Sequence, residues 1–362
     1  MGQKPTALIT GISGNLGLRL LRQLPDYNVI GLDVREPEDA SALTQFEKID
    51  LAEERSCDQI LELMRSYRPE AVVHLAFVLD PLRTGVIDKK RMWQINVAGT
   101  SRVTEAIAEH NRMLGGIDKF IFPSSAMVYG PELSKPATED SSLHAQSLPY
   151  ALHQQEADRT VQARARGMNC KTYILRPHVY AGATVENYQL GVLRGIPGGK
   201  GRLGERLRRQ GKRLPLWLPS RGEYLEHKFQ FVHVDDVARL IAHILRRKLV
   251  DPKLTILNVA GRGEPLDLRR CVEISGIEVQ RVPGGRTICR QALRVLWDLG
   301  VSDIPPEALP YLLGSSTMDT ARLRVFLGEH YRSVIEHTCE EALKDSFSGI
   351  GEQVSAARAK PR

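Results

Sequence analysis

Thr10-Gly11-Ile12-Ser13-Gly14-Asn15-Leu16-Gly17 is the stretch whose reading decides the fold. It follows directly on a short apolar run, Ala7-Leu8-Ile9, and opens a helical stretch over 15–24 that Pro25-Asp26 closes. The first glycine permits a tight turn, and the second lets the backbone approach an anion without a Cβ clash. The third lets helix and strand pack closely, and the free N–H groups that open the helix then face the anion. A glycine triplet alone is a weak signal, and a purely structural turn is the alternative. Between a strand and a helix it marks a pyrophosphate-binding turn. The next apolar run, 29–33, ends in Asp33, 22 residues after Gly11. A carboxylate there accepts hydrogen bonds from both hydroxyls of an adenosine ribose and repels a 2′-phosphate. Asp33 therefore selects NAD over NADP, with Arg35 close enough to soften the rejection.

Outward from this turn, strands are expected over 7–10, 29–33, 71–75, 119–123 and 172–176, the last ending at Pro177. Helices are expected over 56–67 and 95–111 and after Pro149. Short apolar strands separated by helices predict an α/β protein with a Rossmann-type doubly wound parallel sheet. After Tyr180 the pattern changes: 181–228 is rich in Gly, Pro and Arg and shows no alternation. A strand-like 229–234, a helix over 235–248 and a strand over 255–259 read as a return to the sheet. The expected division is a dinucleotide-binding domain from 1–180 and 229–260, with a smaller mixed C-terminal substrate lobe from 181–228 and 261–348. Residues 349–362 read as a disordered tail. There is no internal repeat.

No apolar run approaches the roughly 18 residues needed to cross a bilayer. The strand beginning at Ala7 leaves no room for a secretory leader, so a cytoplasmic protein without membrane attachment is expected. Cys57, Cys170, Cys271, Cys289 and Cys339 show no CxxC pairing, which suits a reducing compartment. The net charge of +7 raises the question of nucleic acid. Much of the excess lies in 194–213, where Arg194, Lys200, Arg202, Arg206, Arg208, Arg209, Lys212 and Arg213 face only Glu205. That stretch has no aromatic residue on which a base could stack, so no nucleic-acid partner is expected. It reads as a solvated mobile loop, or as part of a site for an anionic substrate. His178, His233 and Asp235-Asp236 lack metal-ligand spacing, so no metal is expected. The acidic pair opens a helix, where carboxylates suit the N-terminal dipole.

Several further motifs follow in order. They are Asp50-Leu51, His74-Leu75-Ala76, Asn96-Val97-Ala98-Gly99-Thr100, Pro123-Ser124-Ser125-Ala126-Met127-Val128-Tyr129-Gly130, Leu175-Arg176-Pro177-His178-Val179-Tyr180, and Phe231-Val232-His233-Val234-Asp235-Asp236-Val237-Ala238. With the turn at 10–17, they resemble the extended short-chain dehydrogenase/reductase family of NAD-dependent epimerases and dehydratases, from Thr10 to about Leu327. The resemblance implies NAD as cofactor, held by Gly11, Ser13, Gly14, Asn15, Leu16, Gly17 and Asp33. It also implies Asp50 and Leu51 at the adenine, Leu75 and Ala76 along the dinucleotide, and Asn96 steadying the sheet. Ser124, Tyr150, Gln154, Pro177 and Val179 complete the implied cofactor set. A sugar nucleotide as substrate and a homodimer are the family defaults.

By alignment, the family's catalytic serine is Ser125 and its tyrosine is Tyr150, 25 residues beyond Ser125. The family places a lysine four residues after the tyrosine, on the same helical face, and here that position is Gln154. A phenol of pKa about 10 is a poor base near neutrality. The lysine lowers that value by its charge and holds the nicotinamide ribose. Gln154 has an amide that reaches the same hydroxyls but supplies no charge. Three readings stay open. Catalysis persists at a reduced rate, another cation (His153 or Arg159) substitutes, or the chain binds NAD without turnover. For sugar-nucleotide substrates the family commonly has an arginine just before the 231–238 segment. Here that region reads Glu226-His227-Lys228-Phe229-Gln230-Phe231, leaving Lys228, Arg221 or the basic stretch as candidates.

Overall fold

The computed structural model describes residues 4–79, 85, 88–248 and 250–348, so the tail expected over 349–362 lies outside the described residues. Its strands are β1 Thr6–Thr10, β2 Asn28–Asp33, β3 Gln45–Lys48, β4 Ala71–His74, β5 Lys119–Pro123, β6 Lys171–Pro177, β7 Val179–Ala181, β8 Leu216–Pro219, β9 Lys228–Phe229, β10 Phe231–His233, β11 Leu254–Val259, β12 Leu266–Asp267 and β13 Val279–Val282. Seven of them form one sheet in the order β11-β6-β5-β4-β1-β2-β3. Every pairing in it is parallel. This is a Rossmann-type doubly wound sheet, and the strand order reverses between β1 and β4, which is where such sheets bind ligands.

Period-2 alternation decides which face each strand residue covers. Ala7, Ile9, Val73, Ile121, Tyr173, Leu175 and Leu257 pack on one face against helices Asn15–Arg22 and Val234–Arg246. Leu8, Ile30, Val72, Phe120, Phe122 and Ile174 pack on the other, against helices Ser56–Tyr67, Gly99–Met113 and Pro149–Arg164. Burying one such leucine or isoleucine contributes about 1.5–3 kcal/mol. A separate apolar core gathers Leu190, Leu193, Leu216, Leu218, Phe229, Phe231, Leu268 and Leu343.

Three local expectations need correction. β3 was not foreseen, because Gln45-Phe46-Glu47-Lys48 carries a single apolar side chain at a sheet edge. The stretch 229–234 does not return to the central sheet. Gln230 turns its amide onto Met318, accepting from its N–H at 2.7 Å and donating to its carbonyl at 3.1 Å. That splits the run into β9, which pairs with β12, and β10, which pairs with β7; only β11 rejoins the sheet. The helix expected over 95–111 is preceded by helix Lys89–Trp93 and interrupted at its start by a wide π turn, Gln94–Ala98. Among the described residues no helix is long and apolar enough to cross a membrane.

Candidate functional site

The first hollow lies at the carboxyl ends of β1, β2 and β4. Gly11 has φ +73°, and a Cβ there would sit 2.5 Å from the Ala76 nitrogen. A Cβ on Gly17 would lie 2.4 Å from Ile12 O, so only glycine lets this helix approach the strand. The helix that follows has no side-chain cap, so its first N–H groups remain available to an anion. Asp33 Oδ2 accepts from the Ser13 N–H at 3.1 Å, and Ser13 Oγ donates to Arg35 O at 2.5 Å, tying the turn to the end of β2. Gly11, Ser13, Gly14, Asp33, Asp50, Leu51, Leu75 and Ala76 all line this cleft. Glu36, Glu38 and Asp39 line it too, three carboxylates that motif reading missed because they sit in the loop after β2.

Other residues of the implied cofactor set face elsewhere. Asn15 donates to Thr184 O and Oγ1 and accepts from Arg19. Leu16 packs on the apolar cores, and Pro177 is the buried last residue of β6. The buried Asn96 clasps Val78, accepting from its N–H at 2.7 Å and donating to its carbonyl at 3.0 Å. It therefore orients the segment beyond β4 from behind. Ser124 Oγ donates to Asp158 at 2.6 Å.

A second hollow, lined by Tyr150, opens beside the first. Leu75, Ala76, Phe77 and Val78 line the cleft, whereas Leu79 lines the second cavity. The ring of Phe77 meets that of Tyr150 edge-on at 5.7 Å. Ser125, Tyr150 and Val179 all line this second cavity. Ser125 caps the short helical turn Ala126–Tyr129, its Oγ accepting from the Met127 N–H at 3.2 Å. Tyr150 and Gln154 lie four residues apart on helix Pro149–Arg164, which Pro149 starts from its first turn. Gln154 Nε2 donates to the Tyr150 hydroxyl at 3.2 Å. Burial pushes the Tyr150 pKa above its usual value, and hydrogen bonds from Gln154 and Ser125 pull the other way.

The two substitute cations are committed elsewhere. Burial lowers the pKa of His153, leaving it uncharged near neutrality, and its Nδ1 lies 3.4 Å from Asn96 Nδ2. Arg159 pairs with Glu156 at 3.0 Å and donates to Leu143 O at 3.4 Å. The residues present nonetheless fit NAD. Gln154 is 2% exposed, and its Oε1 is a buried acceptor with no partner among the described residues, suited to a ribose hydroxyl.

Beneath Tyr150 lies a buried network that the motifs did not announce. Arg176 donates to both oxygens of Asp158 at 2.9 Å, to Tyr129 Oη at 2.8 Å and to Glu139 O at 3.1 Å. Tyr129 in turn donates to Asn258 Oδ1 at 2.7 Å. This joins the helical turn Ala126–Tyr129, β6, β11 and the Tyr150 helix at one point. His74 links β1 to helix Gly99–Met113 through Thr10 at 2.7 Å and Thr100 at 3.0 Å, and burial pushes its pKa to about 3.

Two expectations away from the site also change. The basic stretch is not simply a mobile loop: Arg202–Arg209 is helical, and three of its neighbouring or own arginines staple carbonyls. Arg208 donates to Pro197 O and Gly199 O, Arg213 to Arg194 O, Leu193 O and Ser275 O, and Arg194 to Val185 O and Ser346 O. His233 and Asp236, far from His337 in sequence, meet it in space with ligand atoms within 4.8 Å of one another, a grouping no local spacing revealed. Their atoms are held by protein partners: Asp236 pairs with Arg239 and His337, and His233 Nε2 lies 3.1 Å from Asp345. His178 and Asp235 stand outside that grouping.

The sheet and the cleft at its switch point define a Rossmann-type dinucleotide-binding protein. A model of the NAD-dependent epimerase/dehydratase family matches residues 7–260, and the chain belongs to that family, with NAD as its cofactor. Among curated relatives, the chain is similar to an uncharacterised epimerase/dehydratase of Staphylococcus saprophyticus, at 27% identity over 40% of this chain and 44% of the relative. It is also similar to a UDP-glucose 4-epimerase of Pisum sativum, at 31% identity over 43% of this chain and 47% of the relative. The matched region thus spans less than half the length of these relatives. Among solved structures, a Thermus thermophilus UDP-glucose 4-epimerase in complex with NAD superposes with a TM-score of 0.64 at 19% identity, covering 96% of this chain and 99% of that one. The Bordetella bronchiseptica enzyme WbmH, in complex with NAD+, does so with a TM-score of 0.64 at 18% identity, covering 96% and 98%.

Proposed function

We propose that this chain is an NAD-dependent oxidoreductase of the epimerase/dehydratase type, acting at a carbinol carbon. The observation that carries the reading is the convergence of the Ser125 and Tyr150 hydroxyls on one cavity, separated from the dinucleotide cleft only by the segment Leu75–Leu79 and the Phe77–Tyr150 contact. Gly11, Ser13 and Gly14 hold the pyrophosphate, Asp33 the adenosine ribose, and Asp50 and Leu51 the adenine. Leu75 and Ala76 lie along the dinucleotide. When bound, NAD supplies the acceptor for the carbinol hydride. Tyr150 takes the hydroxyl proton, Ser125 hydrogen-bonds the same oxygen, and Gln154 positions the ribose through its unpartnered Oε1. The same Ser125–Tyr150 pair would serve an epimerase, in which the bound NAD would give the hydride back, and a dehydrogenase, in which it would not. The names of the relatives support a sugar nucleotide or a related alcohol as substrate. A homodimer through the Tyr150 helix, which leaves Leu152 38% exposed, completes the proposal.

A second reading, an NAD-binding protein without turnover, is favoured by one observation. Burial raises the Tyr150 pKa, and neither His153 nor Arg159 brings charge to it. One set of measurements separates the two. Nicotinamide absorbance is followed with a panel of sugar nucleotides and simpler alcohols, with NAD affinity measured alongside. Tyr150→Phe is expected to lower turnover by about 10²–10⁴-fold at unchanged NAD affinity. Gln154→Lys is expected to shift the pH–rate profile to lower pH, because an adjacent cation favours the phenolate. Inert wild type and inert Gln154→Lys, both still binding NAD, would establish the non-catalytic reading.

A further inference from the structure

The cavity in front of Tyr150 is lined in a way that does not suit a phosphate. Leu79, Met127, Leu148, Val179, Phe229 and Leu312 supply much of its wall, and none of its lining residues among those described is Lys, Arg, Asp or Glu. Phe229, 1% exposed, occupies the region just before the 231–238 segment, where a cation was sought from the sequence. The nearby polar groups are mostly committed to the protein itself. Tyr311 Oη accepts from the Gln146 N–H at 2.9 Å and donates to Met127 O at 3.3 Å. Tyr188 Oη donates to Leu79 O at 3.4 Å. The Asn187 amide is held between Tyr180 O and the Leu190 N–H. His178 Nε2 lies 3.0 Å from Ser316 O, and burial pushes its pKa to about 4, so the ring is neutral above that. Ser125 and Tyr150 are joined in the lining by the neutral polar groups of Gln189, Tyr180 and Ser316 and by His178 Nδ1, so the polar groups that face a ligand there are all uncharged above about pH 4.

The cations named from the sequence do not reach this space. Arg194, Arg208 and Arg213 are bound to carbonyls, Arg206 and Arg209 are exposed, and none of these, nor Arg221 or Lys228, lines it. The adjoining hollow, which shares Leu79, Leu148, Tyr150 and Tyr188, is also without excess charge. It contains Lys89 and Arg294 against Asp298 and Glu307, with Arg294 within 3.6 Å of Glu307. Desolvating a charge in such surroundings costs several kcal/mol unless a partner is built in. Apolar surface placed there gains about 25 cal/mol per Å². The space in front of Tyr150, counted with the solvent at its open mouth, is about 740 Å³.

We propose that this cavity takes an uncharged, mainly apolar molecule whose hydroxyl or carbonyl oxygen meets Ser125 and Tyr150, in place of a nucleotide diphosphate. The proposal rests on reading Ser125 and Tyr150 as the groups that meet the reacting oxygen. Its test is calorimetric titration of the NAD-loaded chain with 4-phenylcyclohexanol and, separately, with UDP-glucose. The alcohol is expected to bind at least about tenfold more tightly than UDP-glucose. Leu312→Asn, which makes the wall polar at nearly constant size, is expected to weaken the alcohol about tenfold and to leave NAD affinity unchanged. UDP-glucose binding as tightly as the alcohol, binding of neither, or alcohol binding indifferent to Leu312→Asn would overturn the proposal. Should Leu312→Asn fail to fold, shown by loss of NAD binding, Met127→Gln makes the same change of wall polarity at a half-buried position. Nicotinamide absorbance judges the oxidoreductase reading separately. Alcohol that binds without being oxidised leaves the ligand class standing and removes the activity, whereas turnover of UDP-glucose without alcohol binding does the reverse.

Discussion

The cleft and the cavity beside it are built on opposite principles. The cleft is polar and acidic: Asp33, Glu36, Glu38, Asp39 and Asp50 line it against Arg22 and Arg35. Its walls come from the ends of neighbouring parallel strands, and backbone N–H groups at a helix start without a side-chain cap stand beside it, a geometry that suits an anion. The cavity has no charged lining residue among those described, and its walls come from segments between Leu79 and Ser316. A dinucleotide is recognised by backbone geometry, which a few glycines specify locally. A substrate is recognised by side chains that only distant segments bring together. One fold therefore keeps its cofactor while its substrate chemistry changes wall by wall.

The largest effect is expected where both hollows share a support. Asp158 is wholly buried and holds Arg176 and Ser124 beneath the Tyr150 helix. Asp158→Ala leaves a buried guanidinium without its partner and is expected to cost about 3–5 kcal/mol in denaturant unfolding. Asp158→Ala with Arg176→Met, which removes both charges, is expected to cost less. A loss confined to one hollow's ligand would show that the two are not held on a common frame.

Acid is expected to act next most strongly, and on both hollows. His74 under the cleft and His178 in the cavity wall are buried, and burial pushes their pKa values to about 3 and about 4. An unfolded histidine titrates near 6.5, so between that pH and 4 the unfolded chain binds more protons than the native one. Stability is then full above about pH 6.5 and falls as pH drops toward 4. Unfolding midpoints measured across this window are expected to decline, and His178→Phe is expected to flatten part of the slope. An unchanged slope in that variant would show that His178 does not stay neutral in the fold.

The smallest effect sharpens the contrast, because it touches the cleft alone. Asp33→Ser removes the carboxylate that bonds Ser13 and lines the cleft. The preference for NAD over NADP is expected to fall by about tenfold, roughly 1.4 kcal/mol, in paired calorimetric titrations. Ligand affinity in the cavity is expected to stay the same. Equal affinities of the wild type for the two cofactors would contradict the role given to Asp33.

Much of this was legible in the residues. Short continuous apolar runs specified most strands of the central sheet, because side chains on the two faces of a buried strand must both be apolar. Gly11 and Gly17 were readable because no other residue fits their positions, where a Cβ would strike backbone within 2.5 Å. Edges and irregularities were not legible: β3 has three polar residues of four, and the break at Gln230 depends on Met318, 88 residues away. The partner of Asp158 is equally remote from it in the motifs, since Arg176 lies on a different element and nothing in its spacing names a carboxylate.

By itself, then, the sequence determined a parallel doubly wound sheet with an NAD site at its switch point, because hydrophobic period, helix starts and glycine sterics all act within a few residues. It also placed an uncharged amide four residues after Tyr150. Only the tertiary structure decided what that amide meets: a buried phenol whose pKa burial raises, with an acceptor left open beside it. It alone decided that the arginines of 194–213 staple carbonyls rather than face the cavity, and that the cavity wall is apolar. The reason is physical. Burial, desolvation and the pairing of charges depend on which side chains surround a group, and packing across the whole chain settles that.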